Sequence, residues 1–298
     1  MGIDAFLHEV GSPEIAQDQS FYEKINQYSC VIFFARLGDQ NRFEKKGFST
    51  KRVMSYVRDC ESLASIFGTL DYNLNVLVKI AIDRLIENSN VIKINCPLGT
   101  NLIGEVTQDN SKTKEVSVLR FPILVPKPID AKPLSGKVVL NNYLTSTGSR
   151  FYKPNFIKIG NQVAIHIENG SIADIQGTSE DVNNIHNHYS YVSQKFGLDM
   201  YAVHSWHPGI HPGAEDNKFY EHDPDKWANT VFGKPKYLHF HTCGNYAPGE
   251  ICLMIPNHTV LIDDKPLWKD GELLLNGFEH TKGLLEKHAT LKNVFSAN

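Results

Sequence analysis

The chain has no surplus of positive charge. Lys and Arg number 30 against 33 Asp and Glu, a net charge of −3. No basic patch or run gathers the cations, so a general affinity for nucleic acid or an anionic membrane surface is excluded. A long hydrophobic run is also missing. The most apolar stretch, 75–85, is interrupted by Lys79 and Asp83, so no membrane span is expected. The amino end, Met1-Gly2-Ile3-Asp4-Ala5-Phe6, lacks the basic start and apolar core of a secretory signal. Phe6 also stands where a myristoylation motif wants Ser or Thr. The five cysteines are an odd number and form no CxxC pair, which fits reduced thiols and a cytoplasmic location better than a disulfide framework. The turn at Gly99-Thr100 lacks the rest of a phosphate cradle, so nucleotide binding is not expected.

The chain does have room for a large core. Its 298 residues, 41% hydrophobic and 21% charged, suit a globular protein of two lobes. The run 31–35 reads as a buried strand, 59–67 and 75–87 read as helices, and 91–95 reads as the next strand. Strand, helix, helix, strand suggests part of a doubly wound α/β unit. Beyond about residue 105 the character changes. Pro122, Pro126, Pro128, Pro133 and Gly136 mark an irregular connection, and strand-like segments follow at 137–141, 155–159 and 162–168. Asn169-Gly170 is a hairpin signal, 181–196 reads as a helix, and Gly197 is placed to cap its carboxyl end. The expected division is an α/β lobe over 1–115 and a β-rich, site-bearing lobe over 116–298.

Chemistry concentrates between residues 203 and 252. Six of the 13 histidines lie between 204 and 241, interleaved with Pro and Gly that fix backbone turns. His239 and His241 are two apart on an expected strand, so their side chains share a face and form a clip for a metal. Glu250 sits between apolar residues, where a carboxylate needs a cation or donors. Two imidazoles and a carboxylate suggest a two-His-one-carboxylate site. His204 is a further candidate ligand. His207 is a candidate proton-transfer group, with Glu250 as a second one. Trp206, His211 and Thr242 are candidate substrate contacts. The plain alternative for each is packing: capped loop histidines, a structural Trp, and Cys243 and Cys252 as small buried hydrophobes. His186 and His188, two apart on an expected helix, diverge and do not make a clip.

The order of several short motifs carries a resemblance. They are Lys51-Arg52, Asp71-Tyr72, Pro97-Leu98-Gly99-Thr100-Asn101, the Glu168–Gly177 hairpin, the 204–213 and 240–245 segments, and Thr259 to Asp263 with Asp270-Gly271. In this order they resemble the aminopeptidase T superfamily of metalloproteins, nearest its dihydroxypyridine dioxygenase branch, over about residues 30–275. The resemblance implies an α/β protein: a doubly wound α/β lobe, shortened here, packed on a β-rich catalytic lobe. It also implies a homo-oligomer, a dimer or larger. The peptidase branch implies two metals, and the dioxygenase branch one non-haem iron. His204 falls near the position that is Glu in the peptidases and His in the dioxygenases. Thr242-Cys243-Gly244 falls where the dioxygenases place a Ser near the metal. The family's closing His-x-Asp pair reads Glu250-Ile251-Cys252 here. The peptidase carboxylates are not evident, which argues against a two-metal aminopeptidase.

The expected function is a mononuclear metal enzyme. Its metal is divalent, Fe(II) first, with Zn or Mn as the other candidates, held by His204, His239, His241 and Glu250. Its substrate is a small polar aromatic or a peptide-derived molecule, cleaved oxidatively. Two alternatives remain: a metal-free relative that binds a peptide or biosynthetic intermediate, and a metal-dependent hydrolase.

Overall fold

The structure is a computed structural model that describes residues 5–7, 14–15, 18–34, 50–57, 59–106, 118–146, 151–214, 219–245 and 248–295. After helix α1 (Gln19–Ile25), strands β1 (Cys30–Phe33) and β2 (Lys51–Ser55) pair in parallel. Two short helices follow, α2 (Cys60–Ala64) and α3 (Ile66–Thr69), the first capped by Asp59 and the second by Ser65. Helix α4 (Tyr72–Glu87) starts where Asp71 accepts from the amides of Asn73 and Leu74. It buries Val78, Ile82 and Ile86 on one face.

Next come β3 (Val91–Asn95) and β4 (Asn101–Glu105), antiparallel across a turn in which Gly99 has φ +105. The chain then returns beside β2 with β5 (Leu119–Phe121), completing a three-stranded parallel sheet. This is the α/β lobe in shortened form. The sequence reading joins 91–95 to the 31–35 strand in one unit, and the structure corrects that. β3 lies in a different, antiparallel sheet, between β4 and a strand near residue 260. Alternation specifies that a strand forms and which face is buried, but not which strand it pairs with.

The rest is β-rich. Strands β6 (Ile129–Asp130), β7 (Leu134–Leu140), β8 (Tyr143–Thr145) and β9 (Phe156–Lys158) lead to the hairpin of β10 (Val163–Glu168) and β11 (Ser171–Gln176). Its turn is Asn169-Gly170, both at positive φ, as an Asn-Gly turn requires. Helix α5 (Ser179–Phe196) ends at Gly197 with φ 64. Then come β12 (Val203–Pro208), helix α6 (Pro224–Val231), β13 (Tyr237–Cys243), β14 (Glu250–Pro256), β15 (Thr259–Ile262), β16 (Lys265–Lys269) and β17 (Glu272–Leu273). Helices α7 (Glu279–Lys287) and α8 (Ala289–Phe295) close the described chain.

These strands make two antiparallel sheets. One has eight strands in the order β11-β10-β7-β4-β3-β15-β16-β17, and the other has six in the order β6-β12-β13-β14-β8-β9. The eight-stranded sheet thus takes strands from both sides of residue 115. A single core joins the two sheets. Ile94, Leu102, Val138 and Val260 from the first meet Trp206, Phe240, Leu253 and Ile255 from the second. The outer face of the six-stranded sheet is covered by α6. This helix starts with Asp223 as cap and Pro224 in its first turn, and packs Trp227 against Tyr143 and Tyr237. Among the described residues, no helix is long and apolar enough to cross a membrane.

Candidate metal centre

Every residue of β13 is buried, yet its sequence alternates Leu238-His239-Phe240-His241-Thr242. Alternation sends Leu238, Phe240 and Thr242 to the shared core, and His239 and His241 to the face under α6. The antiparallel register completes the pattern. His207 of β12 lies opposite His239, and Ser205 opposite His241. From β14, Met254 lies opposite His239 and Cys252 opposite His241.

Three imidazoles therefore converge from two strands. The rings of His207 and His239 stack 5.0 Å apart at 19°. His241 is tilted against them, 4.8 Å from His207 and 5.3 Å from His239. One ring nitrogen from each lies within 4.8 Å of the other two. All three residues are buried. Phe232, just past α6, meets His239 edge-on at 5.4 Å.

Hydrogen bonds orient two of these rings. Cys243 at the end of β13 has φ 61, Gly249 before β14 has φ 98, and Asn245 lies against the site. Gly249 is needed there, because a Cβ would lie 2.4 Å from the Leu198 side chain. His241 Nδ1–H donates to the Asn245 carbonyl at 2.7 Å, which leaves Nε2 as its ligand atom. His207 Nε2 lies 3.0 Å from the Ser205 hydroxyl, which donates to Asn245 Oδ1 at 3.4 Å. The donor order that satisfies both contacts has Nε2–H donating to Ser205, leaving the lone pair of His207 on Nδ1.

A cavity of about 40 Å³ opens beside the cluster. Its lining includes all three histidines, Cys252 and Met254 from the sheet floor, Thr145 and Ser146 from β8 and the residue after it, and Ala228, Asn229 and Phe232 from α6 and its end. Tyr56 and Arg120 reach it from the parallel sheet, so both lobes contribute.

The other expected site residues lie elsewhere. His204 sits at the break in register between Val203 and Ser205, outside the three-histidine group, and its Nε2–H donates to the Cys243 carbonyl at 2.9 Å. The structure thus puts His207, rather than His204, beside the clip. Glu250 is fully buried at the start of β14, opposite Cys243. It stands outside the three-histidine group and does not line the cavity. Its carbonyl accepts from Tyr152 Oη at 2.8 Å. Burial, followed by the Glu250 charge, pushes that phenol far above its usual range. Trp206 faces the core with 1% of its surface exposed and cannot wall this cavity. Thr242 is also turned inward. It accepts from Tyr189 Oη at 2.5 Å and donates to the Ile251 carbonyl at 2.8 Å. His211 is buried against Phe67, its Nδ1 accepting from the Gly213 amide, and burial lowers its pKa to about 4. The sequence reading missed Ser205, Asn245, Thr145, Asn229, Arg120 and Tyr56. Only Ser205 left a trace there: it is two before His207 and so on its face.

The residues fit a metal ion. Three buried imidazoles facing one point are a recurrent donor set for divalent transition metals, and a backbone carbonyl behind one of them sets its tautomer as metal-binding histidines require.

No protein-family model matches this sequence, and a search of curated proteins returns no match. Among solved structures, the 2,5-dihydroxypyridine dioxygenase of Pseudomonas putida superposes with a TM-score of 0.62 at 16% identity, over 94% of this chain and 81% of that one. Aminopeptidase T of Thermus thermophilus superposes with a TM-score of 0.39 at 12% identity, over 72% of this chain and 57% of that one. The resemblance carried by the short motifs is thus met in three dimensions: the chain has the fold of the 2,5-dihydroxypyridine dioxygenase, a reduced α/β lobe on a β-rich lobe.

Proposed function

We propose that the protein is a mononuclear metal enzyme whose metal is held by His207, His239 and His241. The observation that carries this reading is the convergence of three buried imidazoles, one ring nitrogen from each within 4.8 Å of the others. A divalent ion there would polarise or activate an oxygen-bearing ligand in the positions the histidines leave open. The protein's part is to orient the rings through Ser205 and Asn245, and to keep bulk water out with α6 and Phe232. His204 and Glu250, expected among the ligands, are not needed for this set.

The reaction we favour is oxidative cleavage of a small polar substrate with Fe(II) as the metal, in keeping with the shared fold. The cavity of about 40 Å³ has room for the reacting end of such a molecule rather than a whole ring, at roughly 10–15 Å³ for each water-sized position. One observation favours a second reading, metal-dependent hydrolysis. Among the described residues the cluster is all imidazole, a set that also serves catalytic zinc.

Metal analysis of protein purified without a His tag tests the shared part. One equivalent of metal in the wild type and none in H207A supports it. Trace metal with no uptake on adding Fe(II), Mn(II) or Zn(II) rejects it. Oxygen consumption by the Fe(II) form against ester or peptide cleavage by the Zn(II) form separates the two reactions.

A further inference from the structure

The cavity extends along the sheet beyond the imidazoles, between β8 and α6, and two polar atoms there have no partner. Thr145 is 1% exposed, and its hydroxyl makes no hydrogen bond. It lies opposite Cys252, which lies opposite His241, so it stands two strands from the cluster, about 10 Å between backbones. Asn229 is on α6 above it. Its Nδ2 donates to the Asp225 carbonyl at 2.7 Å within the helix, which turns Oδ1 the other way, buried and unpaired. Buried polar atoms are nearly always hydrogen-bonded, because leaving one bare forfeits its hydration. The fold does not require them here. Val would fill the position of Thr145 on a strand at least as well, and Leu would suit a helix at 229.

We propose that Thr145 and Asn229 read the hydrogen-bonding end of the substrate. Asn229 Oδ1 takes an O–H or N–H from the ligand. The Thr145 hydroxyl donates to, or accepts from, the neighbouring polar atom. The cavity of about 40 Å³ limits what enters to a few non-hydrogen atoms. The ligand class that satisfies both the metal and these two residues is a small oxygen chelator with a hydroxyl or N–H next to its metal-binding oxygen. A hydroxamate, an α-hydroxy acid, or the vicinal polar edge of a larger substrate meets this description. The proposal rests on the metal-centre reading.

The test uses Co(II)-loaded full-length protein, with acetohydroxamate as probe and azide as control, read by calorimetry and the Co(II) visible spectrum. Acetohydroxamate should bind the wild type at least tenfold more tightly than its N-methyl derivative, which lacks the N–H, a comparison that needs no variant. T145V and N229L should each weaken acetohydroxamate about tenfold and leave azide binding and metal uptake unchanged. T145S should restore binding, and N229L should abolish the preference over the N-methyl compound. Equal wild-type affinity for the two hydroxamates overturns the proposal, as does unchanged acetohydroxamate binding in folded T145V and N229L. Failure of the wild type to take up metal overturns the metal-centre reading and this proposal together. Normal uptake without discrimination overturns this proposal alone.

Discussion

The two faces of the six-stranded sheet are built from the same strands and are both buried, yet they do different work. The inner face presents Trp206, Leu238, Phe240, Leu253 and Ile255 to the eight-stranded sheet. The outer face presents His207, His239, His241, Cys252 and Met254 to α6 and the cavity. One-residue alternation separates them, so neighbours in sequence go to the hydrophobic core and to the imidazole cluster respectively. Burial therefore does not distinguish a core from a site. What distinguishes them is whether a buried residue's polar atoms converge on a shared point.

If this division is right, the faces respond oppositely to mutation. The largest effect is expected on the outer face. H239A and H241A, like H207A, should abolish uptake of one equivalent of metal, measured by elemental analysis, with little loss of thermal stability. On the inner face, W206A or F240A should cost about 3–5 kcal/mol in denaturant unfolding, with metal stoichiometry unchanged in the folded fraction. Metal loss in F240A at full stability would break the comparison.

Acid should act through the body of the protein. Burial lowers His188 to about 4, His211 to about 4 and His258 to about 3, against 6.5 for the free side chain. The folded state keeps these rings neutral, while the unfolded chain protonates them below about 6.5. Their contribution is thus fully present above pH 6.5 and is lost as pH falls toward 4, at about 1.4 kcal/mol per unit for each ring. Urea melts between pH 7.5 and 4.5 should show this loss, and H188Q should flatten it. The smallest effect is expected behind the ligands. S205A should weaken metal binding about tenfold in competition titrations, without changing stoichiometry or melting temperature.

Parts of this arrangement were legible in the chain. The His-x-His spacing on an expected strand gave the clip, and Asn169-Gly170 and Gly197 gave a turn and a cap that the structure contains. His204 falls at a break in the register of β12 against β13, between Val203 and Ser205, which sequence spacing does not announce. The choice between His204 and His207 depends on the register that sets His207 opposite His239, which is a property of the pairing. Glu250 follows the parity of Cys252 and Met254 but lies two residues further along, opposite Cys243, beyond the group. Thr145 and Asn229 come from segments remote in sequence, and no local pattern announces them. The partner of β3 was hidden for the same reason.

The alternation in β13 also says how such a centre could be lost over evolutionary time. A slip of the strand by one position would drive two imidazoles into the hydrophobic interior and turn Phe240 outward, so gradual sliding is closed off. Individual replacements at three codons could still dismantle the imidazole cluster while the sandwich survived.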